Sequence, residues 1–274
     1  MHEQVFAIDI GSSTIKGVVA VPSSVEGRIK IIAFSMVHTT GIRRGEIVDS
    51  VQVAKNIRLL AEEIKSSLPF PLEQAAVNIG GDHVGVVQSR GVVTVSRADQ
   101  MISEYDVERV IASSQAVPLP LNREIVHIIP REFTVDGEGK IKSAVGMNGV
   151  RLELDALVVY AFSPHVKAVL RTLSEAGLDA SGTVISGLAG ASAVLSEKEK
   201  EIGSVLIDIG AQTCDLAVFE EGQPIHVAVF PVGSFHISND IAIGLQLDFD
   251  LAEHIKVAYG HCDPEAVSRR DIIT

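Results

Sequence analysis

Two hydrophobic periods alternate along the chain. Residues 5–10, 15–21 and 29–37 are β-branched runs, broken by Gly11-Ser-Ser and by Pro22-Ser-Ser-Val-Glu-Gly27, which is the pattern of an antiparallel meander. The period then lengthens. Behind Asp49-Ser50, a pair able to cap a helix, Val53, Ile57, Leu60, Ile64 and Leu68 recur at helical spacing until Pro69 stops them. A strand over residues 75–79 follows. A second helix begins at Ser163-Pro164, with Val166, Val169, Leu170 and Leu173 on one face and Gly177 at its end. Three antiparallel strands followed by alternating helix and strand predict an α/β, ribonuclease-H-like half.

Residues 83–162 interrupt that alternation. Strands over 84–95, 125–135 and 150–160 bracket a helix for which Ser103 and Asp106 supply a capping box, so the block reads as an insertion. From residue 203 the strand–turn–strand–turn–strand pattern returns, over 205–209, 215–219 and 225–232. The chain is expected to divide into a first half (1–82, continued by 163–202), an inserted subdomain (83–162) and the start of a second half (203–274) that repeats the first.

Hydrophobic residues make up 46% of the chain but aromatic residues only 4%, with no Trp, so the core is expected to be Val, Ile, Leu and Ala, as in α/β sheets. A formal net charge of -12 repels nucleic acid phosphates and anionic lipid. Cys214 and Cys262 stand in no metal spacing and fit a reducing compartment better than a disulfide framework. No apolar run approaches the ~18 residues of a spanning helix. The expectation is a cytoplasmic chain with no affinity of its own for membranes.

The candidate chemistry lies in two echoing stretches, Phe6-Ala-Ile-Asp-Ile-Gly-Ser-Ser-Thr14 and Val205-Leu-Ile-Asp-Ile-Gly-Ala-Gln-Thr213. A hairpin turn of this kind presents several N–H groups and hydroxyls to one concave spot, as anion-binding nests do. Two of them make a clamp. Asp9 and Asp208 beside a triphosphate make sense only with a hard cation such as Mg²⁺, with its waters, between them. Lys16, on the returning strand, adds a point charge. A single aspartate of this type usually bonds the N–H groups of its own turn; repetition in matching contexts favours the clamp. Further on, with Asp248 or Asp250 as cap, Glu253 and Lys256 fall on one helix face, where they either form a surface pair or reach a ribose and an adenine. Gly137-Glu-Gly-Lys140 reads as a solvated turn, and the nine histidines show no helical ligand spacing.

These residues resemble the actin, sugar kinase and heat-shock chaperone superfamily of ATP-binding proteins, and more closely the FtsA family of bacterial actin-like cell-division proteins. Gly41-Ile-Arg-Arg-Gly-Glu-Ile-Val-Asp49, Ser89-Arg-Gly-Val-Val-Thr-Val95, His127-Ile-Ile-Pro-Arg-Glu-Phe-Thr-Val-Asp136 and Val145-Gly-Met-Asn-Gly-Val-Arg-Leu152 look like stretches typical of that family. The resemblance implies an actin-like fold with an FtsA-type inserted subdomain and an incomplete second half. It also implies an ATP- and Mg²⁺-dependent protein that polymerises, binds the tubulin-like FtsZ, tethers it to the cytoplasmic face of the inner membrane at the septum and recruits later divisome proteins. Carried over by motif, Asp9, Gly11, Ser12, Ser13, Thr14 and Lys16 match the first phosphate turn. Asp208, Gly210, Gln212, Thr213 and Asp215 match the second, Gly233 the glycine after the third strand, and Glu253 and Lys256 the nucleoside-contacting helix.

Three departures matter. Ala211 and Gln212 replace small glycines, so their Cβ atoms are expected to crowd the phosphates. In Val184-Ile-Ser-Gly-Leu-Ala-Gly-Ala191, Gly187 stands where the corresponding junction of heat-shock chaperones and bacterial cytoskeletal actins looks like Glu-Pro, which leaves Gln212 as the side chain able to position water and implies at most a slow ATPase. The sequence ends at Thr274, before the glycine-rich adenosine loop and the amphipathic membrane tail that the resemblance implies, so the chain is expected to be incomplete or unusually short. A pilus-assembly actin-like protein and a small-molecule kinase of the same superfamily are the alternatives; the kinase would need a carboxylate base and a sugar pocket that no motif supplies.

Overall fold

The computed structural model describes residues 4–23, 28–263 and 265. Most of the break at Pro22-Ser-Ser-Val-Glu-Gly27 and the last residues of the second half lie outside them.

β1 (Val5–Ile10), β2 (Thr14–Pro22) and β3 (Ile29–His38) form the meander, each neighbouring pair antiparallel. Side chains alternate along β1, so Phe6, Ile8 and Ile10 enter the core while Asp9 lies on the opposite face. An apolar strand can therefore carry a carboxylate without burying it. β4 (Ile42–Arg43) and β5 (Glu46–Ile47) make a tight hairpin whose turn residues, Arg44 and Gly45, have φ of 52° and 80°. In α1 (Ser50–Ser66) the Asp49 side chain caps the first turn, accepting from Gln52 N at 3.0 Å. Val53, Ile57, Leu60 and Ile64 are buried on the sheet. Gly17 lets them approach, since a Cβ there would stand 2.7 Å from Ile64 Cδ1. β6 (Gln74–Ile79) lies parallel to β1.

β7 (Gly85–Thr94), α2 (Glu104–Ser114), β8 (Arg123–Val135), β9 (Glu138–Ile141) and β10 (Arg151–Phe162) form the inserted unit, a sheet in the order β7-β10-β8-β9 with its own core around Ile102, Val110, Leu152 and Leu154. The Ser103–Asp106 capping box is present. Burial alone would raise the Asp106 carboxyl, but bonds from Ser103 and Ser96 hold it well below the usual range. Gly137-Glu-Gly-Lys140 departs from expectation. Only Asp136 and Gly137 turn, both at positive φ, and β9 runs back along β8. The Asp136 carboxylate fixes that turn by accepting from Val150 N and Arg151 N.

α3 (Ser163–Glu175), β11 (Asp179–Ile185), α4 (Ser186–Val194) and α5 (Glu197–Ile202) lead to the second meander of β12 (Ser204–Ile209), β13 (Cys214–Glu220) and β14 (Gln223–Phe230). β14 stops at Phe230, short of the expected 232, because Pro231 has no N–H to extend the ladder. α6 (Ser234–Leu245) and α7 (Phe249–Tyr259) follow. β11 joins β6, giving a first sheet in the order β11-β6-β1-β2-β3. The main core runs from that sheet through Leu157, Val159 and Ala161 of the inserted unit to Val227 and Val229 of β14. Among the described residues no helix is long and apolar enough to cross a membrane.

Candidate functional site

The two hairpins close in the same way. Gly11 N donates to Thr14 O at 3.1 Å and Gly210 N to Thr213 O at 2.9 Å. A Cβ at either glycine would crowd its acceptor, at 2.9 and 3.1 Å, so both turns exploit the missing side chain. The turns line one narrow cleft, which gathers Asp9, Gly11, Ser12, Ser13, Thr14 and Lys16 from the first and Asp208, Gly210, Ala211, Thr213 and Asp215 from the second.

Cross-strand register sets the electrostatics. Asp9 lies opposite Lys16, and the two pair at 3.2 Å. At the equivalent place Asp208 lies opposite a second acid, Asp215. Asp215 is only 7% exposed, and its Oδ1 has no hydrogen-bond partner. Burial, then the charges of Asp208 and Asp9, push its carboxyl up to about 7, against a weaker opposing bond from the Gly187 N–H. Burial and the same two acids of the second hairpin raise the Cys214 thiol. Clustered carboxylates with an orphaned oxygen are the donor set that a hard divalent cation and its waters satisfy.

Four of the residues carried over from the motifs stand outside this cleft. The Gln212 amide oxygen accepts from Arg44 N at 2.9 Å. Gly233 packs the start of α6 onto the second turn, where a Cβ would meet Gly210 O and Ala211 O at 2.6 Å, and Ser234 N and Phe235 N donate to those carbonyls. Glu253 and Lys256 pair at 2.7 Å on α7, which Asp248 caps. Burial would raise Glu253, but bonds from Lys256 and the buried Ser238 hold it below the usual carboxylate range. A wider hollow adjoins the cleft, lined by Arg44, Gln212, Asn239 and the edge-to-face rings of Phe235 and Phe249.

Three features escaped the sequence reading. Asn78 bonds Ile10 N at 2.7 Å and Ser186 Oγ at 3.1 Å, tying the floor of the cleft together; its signal was an amide inside an apolar strand. Gly45 N donates to Ser12 Oγ at 3.2 Å, which brings the β4–β5 hairpin into the site. Glu46, His83 and His165 set three potential metal-ligand atoms within 4.8 Å of one another. The geometry argues against a metal there. The two rings stack at 15°, so their in-plane lone pairs do not converge on one ion, and His83 Nδ1 already accepts from Phe162 N.

A mixed α/β chain with two facing Asp-bearing hairpins has the actin-like ATPase fold. Two solved structures share it: the PilM-PilN type IV pilus biogenesis complex, with a TM-score of 0.67 and 19% identity over 95% of this chain and 71% of that one, and the ethanolamine utilization protein EutJ from Carboxydothermus hydrogenoformans, with a TM-score of 0.54 and 18% identity over 93% and 61%. Family models for the SHS2 domain inserted in FTSA and for cell division protein FtsA match residues 81–160 and 205–274. Relatives named cell division protein FtsA are 33% identical over 271 residues in Bacillus subtilis (strain 168), covering 99% of this chain and 61% of the relative, and 32% identical over 260 residues in Borreliella burgdorferi, covering 95% and 63%. The chain belongs to the FtsA family. It spans about three fifths of the length of these relatives.

Proposed function

We propose that this chain is the nucleotide-binding part of an FtsA-type cell-division scaffold, clamping Mg-ATP between its two hairpins. The observation that carries the reading is the buried Asp215 oxygen without a partner, beside Asp208 and Asp9, at the bottom of a cleft lined by turn hydroxyls. Asp9 and Asp208 would hold the ion through its waters. Ser12, Ser13, Thr14, Thr213 and the turn N–H groups would hold phosphate oxygens, with Lys16 as a point charge. Gly233, Glu253 and Lys256 would serve the nucleoside side. When bound, the ion neutralises charge on the terminal phosphates.

Nucleotide is proposed to act mainly by closing the two halves for filament assembly. Gly187 offers no side chain to orient water, although a Cβ there would meet only ordinary contacts, the nearest being Asp215 Cβ at 3.5 Å. The Ser186 hydroxyl is engaged with Asn78 and with Ile79 O. A cation beside Asp215 would draw it to the weakly basic ionised form. Phosphate release is therefore expected well below roughly 1 s⁻¹, the low end for phosphotransfer enzymes. Faster turnover that survives Gln212→Ala would mean the catalytic group lies elsewhere.

The partners in this reading are further copies of the chain, FtsZ, and the later division proteins, at the cytoplasmic face of the membrane. Co-sedimentation with FtsZ filaments tests the scaffold role. Enrichment in the pellet with Mg-ATP is expected, and indifference to FtsZ together with binding to pilus inner-membrane proteins would contradict it.

A further inference from the structure

The β4–β5 hairpin touches every part of the molecule that a nucleotide switch would need to connect. At its tip, two successive backbone donors reach the two phosphate turns: Gly45 N bonds Ser12 Oγ in the first, and Arg44 N bonds Gln212 Oε1 in the second. Its back is wedged against the end of β6. A Cβ on Gly45 would stand 2.7 Å from Gly81 N and 3.2 Å from Gly80 C, so backbone lies on backbone with no side chain between them.

Those glycines open the first of the two chain connections to the inserted sheet, which continues through His83 to β7. The hairpin also holds the second connection, where β10 passes into α3. Glu46 Oε1 lies 3.0 Å from His165 Nε2. His165 stacks on His83 with centroids 4.7 Å apart, and His83 Nδ1 accepts from Phe162 N at 3.3 Å. Arg123, at the start of β8, donates to His83 O at 2.6 Å. Both connections of the inserted sheet are thus fastened to one short hairpin, and through it to both turns.

We infer that the β4–β5 hairpin reads the terminal phosphate of a nucleotide and passes its presence to the inserted sheet through Glu46, His165 and His83. The inference rests on the nucleotide reading above. Phosphate oxygens only accept, so a terminal phosphate seated between the turns accepts a hydrogen bond from the Ser12 hydroxyl and competes with Ser12 and Gln212 for the Gly45 and Arg44 N–H groups. A diphosphate leaves those bonds as they are. The hairpin is pinned at both turns and packed backbone to backbone on Gly80-Gly81, so it responds as a unit, and the two connections respond with it.

Hydrogen exchange with excess Mg-ATP or Mg-ADP, in the wild-type chain and in Glu46→Ala, tests this, with nucleotide affinity measured in parallel by calorimetry. In the wild type, exchange over residues 80–84 and 160–166 is expected to differ between the two nucleotides by roughly fivefold or more. Glu46 lies outside the phosphate cleft, so Glu46→Ala is expected to bind Mg-ATP within a few-fold of wild type while losing the response over 160–166. Glu46→Gln, which keeps the side-chain length and a carbonyl oxygen within reach of His165 Nε2, should restore it. A wild type that binds both nucleotides yet exchanges identically overturns the coupling and leaves the nucleotide reading standing. A Glu46→Ala chain that keeps the full response overturns the route through His165. Failure to bind either nucleotide overturns both readings.

Discussion

The hairpins β1–β2 and β12–β13 carry nearly the same turn in different neighbourhoods. β1 is flanked by β2 and β6, and Phe6, Ile8 and Ile10 are at most 8% exposed. Among the described residues β12 stands at the edge of a three-stranded sheet, with Ile207 and Ile209 at 58% and 68% exposed. The charge pattern differs more sharply. Position for position, Lys16 compensates Asp9, whereas Asp215 opposes Asp208. Like charges directly across a ladder repel, and burial strengthens the effect. On this reading the first turn is electrically complete by itself, while the second awaits a cation. The repeat therefore does not produce two equal half-sites.

The largest effect that would sharpen this contrast is on stability in the absence of divalent cation. The Asp215 carboxyl sits at about 7 in the folded chain against an ordinary 3.8. Between those values the folded state holds a proton that the unfolded chain has released, so stability falls as pH rises from about 4 to about 7, by roughly 4 kcal/mol. Asp215→Asn should flatten that slope, and Mg²⁺ should offset it in the wild type. Urea unfolding at pH 4 and pH 8 measures both. A wild type equally stable at the two pH values would remove the contrast. Far smaller is the expected cost of Lys16→Ala. That pair is about half exposed, so solvent screening limits its removal to under about 1 kcal/mol in the same unfolding assay. A larger loss would mean that the first turn also depends on its surroundings.

What the sequence displays and what it hides divide along the range of the interactions. The strands of both meanders, the Asp49 cap, the Ser103–Asp106 box and the Asp248 cap are legible because each is written within a few residues. The strand 138–141 was hidden because its turn is fixed by Asp136 reaching residues 150 and 151. Gln212 could be assigned to the second turn, but not its bond to Arg44, 168 positions away. The i,i+3 spacing of Glu253 and Lys256 was visible; the Ser238 hydroxyl that helps hold them was not. The Glu46–His165–His83 array is assembled from an edge hairpin, a loop and a helix start, so no local spacing reveals it.

The account stands or falls on whether both hairpins grip one Mg-nucleotide, and calorimetric titration of Mg-ATP into the wild-type chain, Asp9→Asn and Asp208→Asn measures this most directly. Each substitution removes a charged hydrogen-bonding partner of the hydrated ion, so each is predicted to weaken binding by roughly 1–3 kcal/mol, with the loss at Asp208 at least as large as that at Asp9 because no lysine stands beside it. Wild-type affinity in both variants would contradict the clamp.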